Sequence, residues 1–175
     1  MQVYLLRHGI AEDSSAGKSD ADRELTAEGR RKLRQTLRTA THAEITPTLI
    51  LSSPLIRAVQ SAEIAREVFQ SKADILQTKA LLPSATPEQA WDEVRVHRDQ
   101  NELVLVGHDP LFTSLSAFLL GSPELQIDFK KGALMRVDFE SFGPHPRGVL
   151  RWFLVSKLAA DKPKSGHSSA RIKRG

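Results

Sequence analysis

The sequence predicts one α/β domain, a three-layer α/β/α sandwich with a mostly parallel sheet and helices on both faces. Two observations carry that expectation. Short apolar, β-prone runs alternate with longer stretches whose apolar residues recur every three to four positions. They also follow one another as strand, helix, strand, the order that builds crossovers and a parallel sheet. A chain of 175 residues fits one domain, large enough to bury about 70% of its unfolded surface.

The elements read in order. Met1–Leu6 is an apolar strand, and the polar stretch Ala11–Arg23, with Gly17 and paired serines, is loop. Thr26 caps a helix to about Ala40, with Leu33, Leu37 and Ala40 on one face. Thr48–Ser52 is a second strand, and Pro54 opens a helix whose stripe is Ala58, Ala62, Ala65 and Phe69. Ile75–Leu76 is a short strand. Thr86-Pro87-Glu88-Gln89 has the capping-box pattern and starts a helix to about Arg98. Leu103–Val106 is a third long strand, and Asp109-Pro110 opens a helix that Gly121 closes. Ala133–Phe139 and Val149–Val155 are two later strands.

Composition excludes several classes. The apolar content of 40% and charged content of 26% are ordinary for a soluble globular protein. No apolar run reaches 18 residues, and Arg7 and His8 cut the first one short, so neither a membrane span nor a secretory signal is expected. The absence of cysteine excludes thiolate nucleophiles and cysteine-ligated zinc, and it is compatible with the cytoplasmic location expected here. The net charge of +4 is concentrated at one end. Residues 157–175 carry Lys157, Lys162, Lys164, Arg171, Lys173 and Arg174 against a single acid, Asp161. Residues 1–156 are therefore near neutral and are expected to form the domain. The remainder, 157–175, is expected to be a disordered basic tail with too little apolar surface to order itself. Solvation is the ordinary role of such a tail. Nucleic-acid binding has no support elsewhere in the chain, and the oligomeric state is left open.

The chemistry sits at the strand ends. In open α/β sheets, ligands bind beyond the carboxyl ends of the strands. His8, Ser53 and His108 each fall one or two residues past such an end, and Arg57 lies one turn into the following helix. Helix N-termini after Ser53 and His108 would aim free N–H groups at the same edge, which favours an anion. Arginine offers a planar fork matched to phosphate oxygens and stays charged. A neutral histidine presents a nucleophilic nitrogen once its other nitrogen is held. Gly9, without a Cβ, lets backbone approach a ligand. Position and charge do most of the work in phosphoryl transfer, so no metal or organic cofactor is expected.

Four blocks, Leu6-Arg7-His8-Gly9 with Ala11, Arg23-Glu24-Leu25-Thr26 with Gly29, Ser53-Pro54 with Arg57-Ala58 and Gln60, and Gly107-His108 with Pro110, resemble the histidine phosphatase superfamily. The superfamily is also called phosphoglycerate mutase-like. The likeness covers about residues 1–156 and is greatest to SixA-type phosphohistidine phosphatases. It implies a phosphoglycerate mutase-like fold, with His8 as the nucleophile that is transiently phosphorylated. It also implies a phosphate pocket of Arg7, Arg57 and His108. Larger members carry an acidic residue that protonates the leaving group. The matching stretch here, Ala80–Gln89, offers only Glu88, in a helix first turn where the dipole already favours an acid.

Glu12 and Asp13 are nearer to His8 in sequence but lie in a polar loop. A missing acid penalises alkyl phosphates and leaves phosphohistidine unaffected. Glu24, where SixA-type chains usually have Pro, departs from the pattern. The expectation is a phosphatase for a phosphohistidine-bearing signalling protein. A phosphomonoesterase for small phosphorylated molecules is the alternative, and a non-catalytic phosphoprotein-binding module is the third. His42, His97, His145 and His167 are expected at the surface, Trp91 and Trp152 in the core or at its rim.

Overall fold

The computed structural model describes residues 1–13 and 19–159. Most of the basic tail expected at 157–175 lies outside the described residues.

A six-stranded sheet runs in the order β3-β2-β4-β1-β5-β6. Its strands are β1 (Gln2–Arg7), β2 (Leu49–Ser52), β3 (Asp74–Gln77), β4 (Glu102–Gly107), β5 (Leu134–Asp138) and β6 (Val149–Leu154). The first four pair in parallel, as expected, while β5 runs antiparallel to β1 and β6 antiparallel to β5. β6 reverses against β5 because the loop joining them holds no helix to carry the chain back across the sheet.

Four helices cover the two faces: α1 (Ala27–Ala40), α2 (Ile56–Val68), α3 (Pro87–Val96) and α4 (Leu111–Leu119). Side chains alternate along each strand, so a strand buried on both sides must be apolar throughout. Val3 and Leu5 join Leu103, Leu105, Trp91 and Phe112 on the α3/α4 side. Tyr4 and Leu6 join Val104, Val106, Leu33 and Ala62 on the α1/α2 side. The stripe of Ala58, Ala62, Ala65 and Phe69 packs in that second core as predicted. Trp91 is fully buried and Trp152 partly.

Helix starts differ from expectation in two places. Leu55, extended, is the N-cap of α2, so Pro54 precedes the helix and Arg57 is its second residue. The α4 helix begins at Leu111, two residues after Asp109. In both cases proline fixes the approach to the helix without entering it. The α3 helix ends at Val96, two residues before the expected end. Its Thr86–Gln89 capping box and the Thr26 cap of α1 are present. Among the described residues, no helix is long and apolar enough to cross a membrane.

One close approach ties the exit of β1 to α1. The Ile10 carbonyl accepts from the Thr26 N–H at 3.0 Å. A Cβ at Gly29 would fall 2.0 Å from that oxygen. Gly29→Ala is therefore expected to cost about 1–3 kcal/mol through forced displacement of backbone. For a domain of this size that lowers Tm by about 2–4 °C per kcal/mol. Gly143→Ala, where a Cβ would meet nothing within 4 Å, serves as control and should fall within about 0.5 kcal/mol of the parent. Denaturant unfolding of both variants checks this.

Candidate active site

The parallel strands deliver their carboxyl ends to one edge of the sheet. His8 follows β1, and its N–H donates to the Gly107 carbonyl at the end of β4 at 3.1 Å. Ser53 follows β2, with its N–H on the Val106 carbonyl at 2.9 Å. Gly132, at φ 75°, donates to the carbonyls of both Arg7 and His8. Only glycine takes that φ without strain. Thus one turn holds the chain on both sides of the Arg7–His8 peptide.

His8 and His108 come together with ring centroids 4.9 Å apart. His8, Arg57 and His108 are all buried, the last at 1% exposure. The Nδ1–H of His8 donates to the Gly9 carbonyl at 2.7 Å. A carbonyl can only accept, so this contact fixes the proton on Nδ1 and leaves the lone pair on Nε2. Burial pushes the His8 ring down to about 3, and Arg57, Arg7 and Lys131 push in the same direction. Hence the ring is neutral at neutral pH, the form in which Nε2 is nucleophilic.

His108 is also pushed down to about 3, first by burial and then by His8 and Arg57. Its Nε2 lies 2.8 Å from Ser53 Oγ. That hydroxyl also accepts from the Leu55 N–H at 3.4 Å and can either donate to His108 Nε2 or accept from it. When the hydroxyl donates, His108 Nδ1 carries the proton and is an N–H donor. It is buried and has no protein acceptor, and the same holds for Arg7 Nε. Buried donors of this kind cost about 1–3 kcal/mol each when unpaired. Two of them beside a neutral histidine form a site for an anion with several oxygens.

Arg57 is held at its far end. Its Nη1 donates to the Asp20 carbonyl at 2.6 Å and its Nη2 to the Asp20 carboxylate at 3.0 Å. Hydrogen bonds from Arg23 and then Arg57 hold the Asp20 carboxyl below its ordinary range. Arg7 donates to the Phe129 carbonyl and lies 3.8 Å from Asp109.

Gly9 also serves packing, beyond the use read in the sequence. Its N–H donates to Ser61 Oγ at 3.2 Å, and a Cβ would press on the Gly29 carbonyl and Leu25 at 3.3 Å. Its small size serves packing against α1. Ser61 in turn donates to the Arg57 carbonyl at 2.7 Å. The structure therefore brings Arg7, His8, Gly9, Ser53, Arg57 and His108 together and adds Ser61 and Asp20. Ser61 carried a signal, since it stands four residues after Arg57 on the same helix. Asp20 carried none, being one acid in a polar loop.

The remaining candidates lie apart. Glu88 and Asp13 are exposed, and the Glu12 carboxylate accepts from the Glu24 N–H at 3.2 Å. His97 pairs with Glu93 at 3.5 Å, His42 and His145 are exposed, and His167 lies outside the described residues. Among the described residues, no group of acids and histidines is arranged to hold a metal ion.

Comparisons with known proteins agree with this geometry. A family model described as the histidine phosphatase superfamily (branch 1) matches residues 3–81. An uncharacterized protein of Picosynechococcus is 32% identical over 137 residues, which cover 77% of this chain and 83% of that protein. The structure of the protein histidine phosphatase SixA complexed with tungstate superposes with a TM-score of 0.80 at 22% identity. It covers 91% of this chain and 100% of its own. A candidate SixA phosphohistidine phosphatase of Agrobacterium tumefaciens gives 0.75 at 25% identity, covering 88% and 97%. A mycobacterial glucosyl-3-phosphoglycerate phosphatase gives 0.66 at 18% identity, covering 85% and 96%.

The two depressed histidines set a pH dependence. In the unfolded chain each titrates near 6.5, so on acidification the unfolded state takes up protons first. Stability is fully present above about pH 6.5 and falls as the pH drops from there toward about 3. His108→Asn, which removes one of the two groups, should lose less stability over that window. Denaturant unfolding of both proteins at several pH values measures it.

Proposed function

The chain belongs to the histidine phosphatase superfamily, and on that premise we propose that it removes the phosphoryl group from phosphohistidine on a signalling protein, by way of a phosphohistidine formed at His8. The observation that carries the reading is the neutral, tautomer-fixed His8 ring beside two buried nitrogens without a protein partner, Arg7 Nε and His108 Nδ1. The reaction has two displacements. In the first, His8 Nε2 attacks phosphorus while the bond from phosphorus to the substrate ring breaks. That ring keeps the bonding pair and takes a proton from solvent. In the second, water attacks phosphorus, the bond to Nε2 breaks, its electron pair returns to His8, and a water proton passes to solvent.

Arg7, Arg57 and the His108 N–H hold the phosphoryl oxygens throughout, stabilising charge in a site that water reaches poorly. The Gly9 carbonyl keeps the tautomer and stabilises positive charge that develops on the His8 ring. Ser61 acts at one remove, holding the Gly9 N–H and the Arg57 carbonyl.

The acids near the pocket favour a substrate whose leaving group needs no enzyme proton. Asp20 is held as a carboxylate by two arginines. Asp109 accepts from both the N–H and the hydroxyl of Thr113, so its Oδ1 is taken up at the start of α4. An alkoxide leaving group would need a proton from such a residue. The imidazole of a phosphohistidine takes its proton from water.

Phosphate release from a phosphohistidine-bearing protein and from an alkyl phosphate, with His8→Ala as control, tests the reading. The expected result is strong preference for phosphohistidine, with a loss of at least about 10³-fold in His8→Ala. Equal rates on both substrates would contradict it. Ser61→Ala should lower kcat by about tenfold with little change in KM, through misplacement of His8. Ser61→Thr should keep the rate, because threonine in a helix also bonds the carbonyl four residues back. A loss of stability with kcat intact would make Ser61 purely structural.

A further inference from the structure

A groove of about 840 Å³ begins at Arg7 and Gly9 and runs away from the two histidines. Its floor is apolar, formed by Leu33 of α1 with Phe153 and Val155 at the end of β6. Its rim is basic. Lys130, Lys131 and Lys157 stand along it, all three exposed. Lys130 is paired with Asp128 at 2.7 Å. Lys131 and Lys157 have no ion pair among the described residues. The charge of Lys131 reaches His8, adding to the cations that hold the ring neutral.

The groove is far larger than a phosphoryl group or an imidazole ring needs. Four separate parts of the chain build it: the exit of β1, the first half of α1, the 128–132 turn and the end of β6. A free phosphohistidine would occupy only its Arg7 end. The floor calls for an apolar surface of some length, and the rim calls for negative charge beside it. Lysines present ammonium point charges on flexible stems, which suit carboxylates spread along a chain.

We propose that this groove seats an acidic, apolar-edged segment of the protein that carries the phosphohistidine, and so selects which phosphohistidine is hydrolysed. The proposal rests on the function argued above. Carboxylates of the segment meet Lys131 and Lys157, its apolar side chains cover Leu33, Phe153 and Val155, and the phosphoryl group enters past Arg7. Such rim charges act mainly on encounter and on KM, and salt screens them.

The test uses two N-phosphohistidine peptides of equal length. One is flanked by leucine and glutamate, the other by leucine and lysine, and free phosphohistidine is the reference. The wild-type protein should favour the acidic peptide by about tenfold in kcat/KM. The preference should lie in KM and shrink as salt rises. In the Lys131→Glu/Lys157→Glu double variant the preference should vanish or reverse, whereas Lys131→Arg/Lys157→Arg should keep it.

The readout is the ratio of the two peptides within each protein, so a change in overall rate does not enter it. Equal turnover of both peptides by the wild type would overturn the groove assignment. So would a preference that survives in the Glu/Glu variant. Failure of the wild type on free phosphohistidine and on both peptides would overturn the function itself, and the groove assignment with it.

Discussion

The rest of the site depends on the short contact between the Nδ1–H of His8 and the Gly9 carbonyl. A histidine buried among arginines has two ways to fail as a nucleophile. It can take a second proton, or it can hold its one proton on the wrong nitrogen. Burial and the neighbouring cations prevent the first. The Gly9 carbonyl prevents the second, because it accepts only from Nδ1. Everything around that peptide serves to hold it still: Gly132 on the carbonyls of Arg7 and His8, Ser61 on the Gly9 N–H, and Gly29 giving room to the Ile10 carbonyl. Two glycines therefore matter for opposite reasons. Gly132 supplies a left-handed turn, while Gly29 supplies missing volume.

The same economy applies to charge. Arg57 is almost fully buried, and a buried guanidinium needs a partner. Asp20 provides it from the outer side, through both its carbonyl and its carboxylate. Arg7 leans on the Phe129 carbonyl and lies near Asp109. Each arginine is anchored through its guanidinium, Arg57 on Asp20 and Arg7 on the Phe129 carbonyl. Asp20 is committed to Arg23 and Arg57, and Asp109 to Thr113 at the start of α4.

Much of this was legible in the sequence because strand ends are legible. Three apolar runs each stop at a polar residue with chemistry to offer, and in a parallel sheet those stops share one edge. His8, Arg57 and His108 could be placed together on that ground alone. Helix starts were misjudged by two residues at Pro54 and Pro110, since proline suits the first turn of a helix and the residues before it equally well. The antiparallel course of β5 and β6 had no local signature, because direction is set by what joins the strands. Asp20 was illegible for a similar reason: its partner Arg57 lies 37 residues away, and only the folded loop brings them into contact. The packing role of Gly9 was not legible, because a small residue looks alike whether it faces a ligand or a helix.

The central claim is that His8 waits as a neutral ring with its proton on Nδ1. Two-dimensional ¹⁵N–¹H NMR of the imidazole nitrogens in the protein without substrate, near pH 7, reads the tautomer directly. The account predicts a pyrrole-type shift for His8 Nδ1 and a pyridine-type shift for Nε2, unchanged until well below pH 6. A proton on Nε2, or an imidazolium at pH 7, would contradict it.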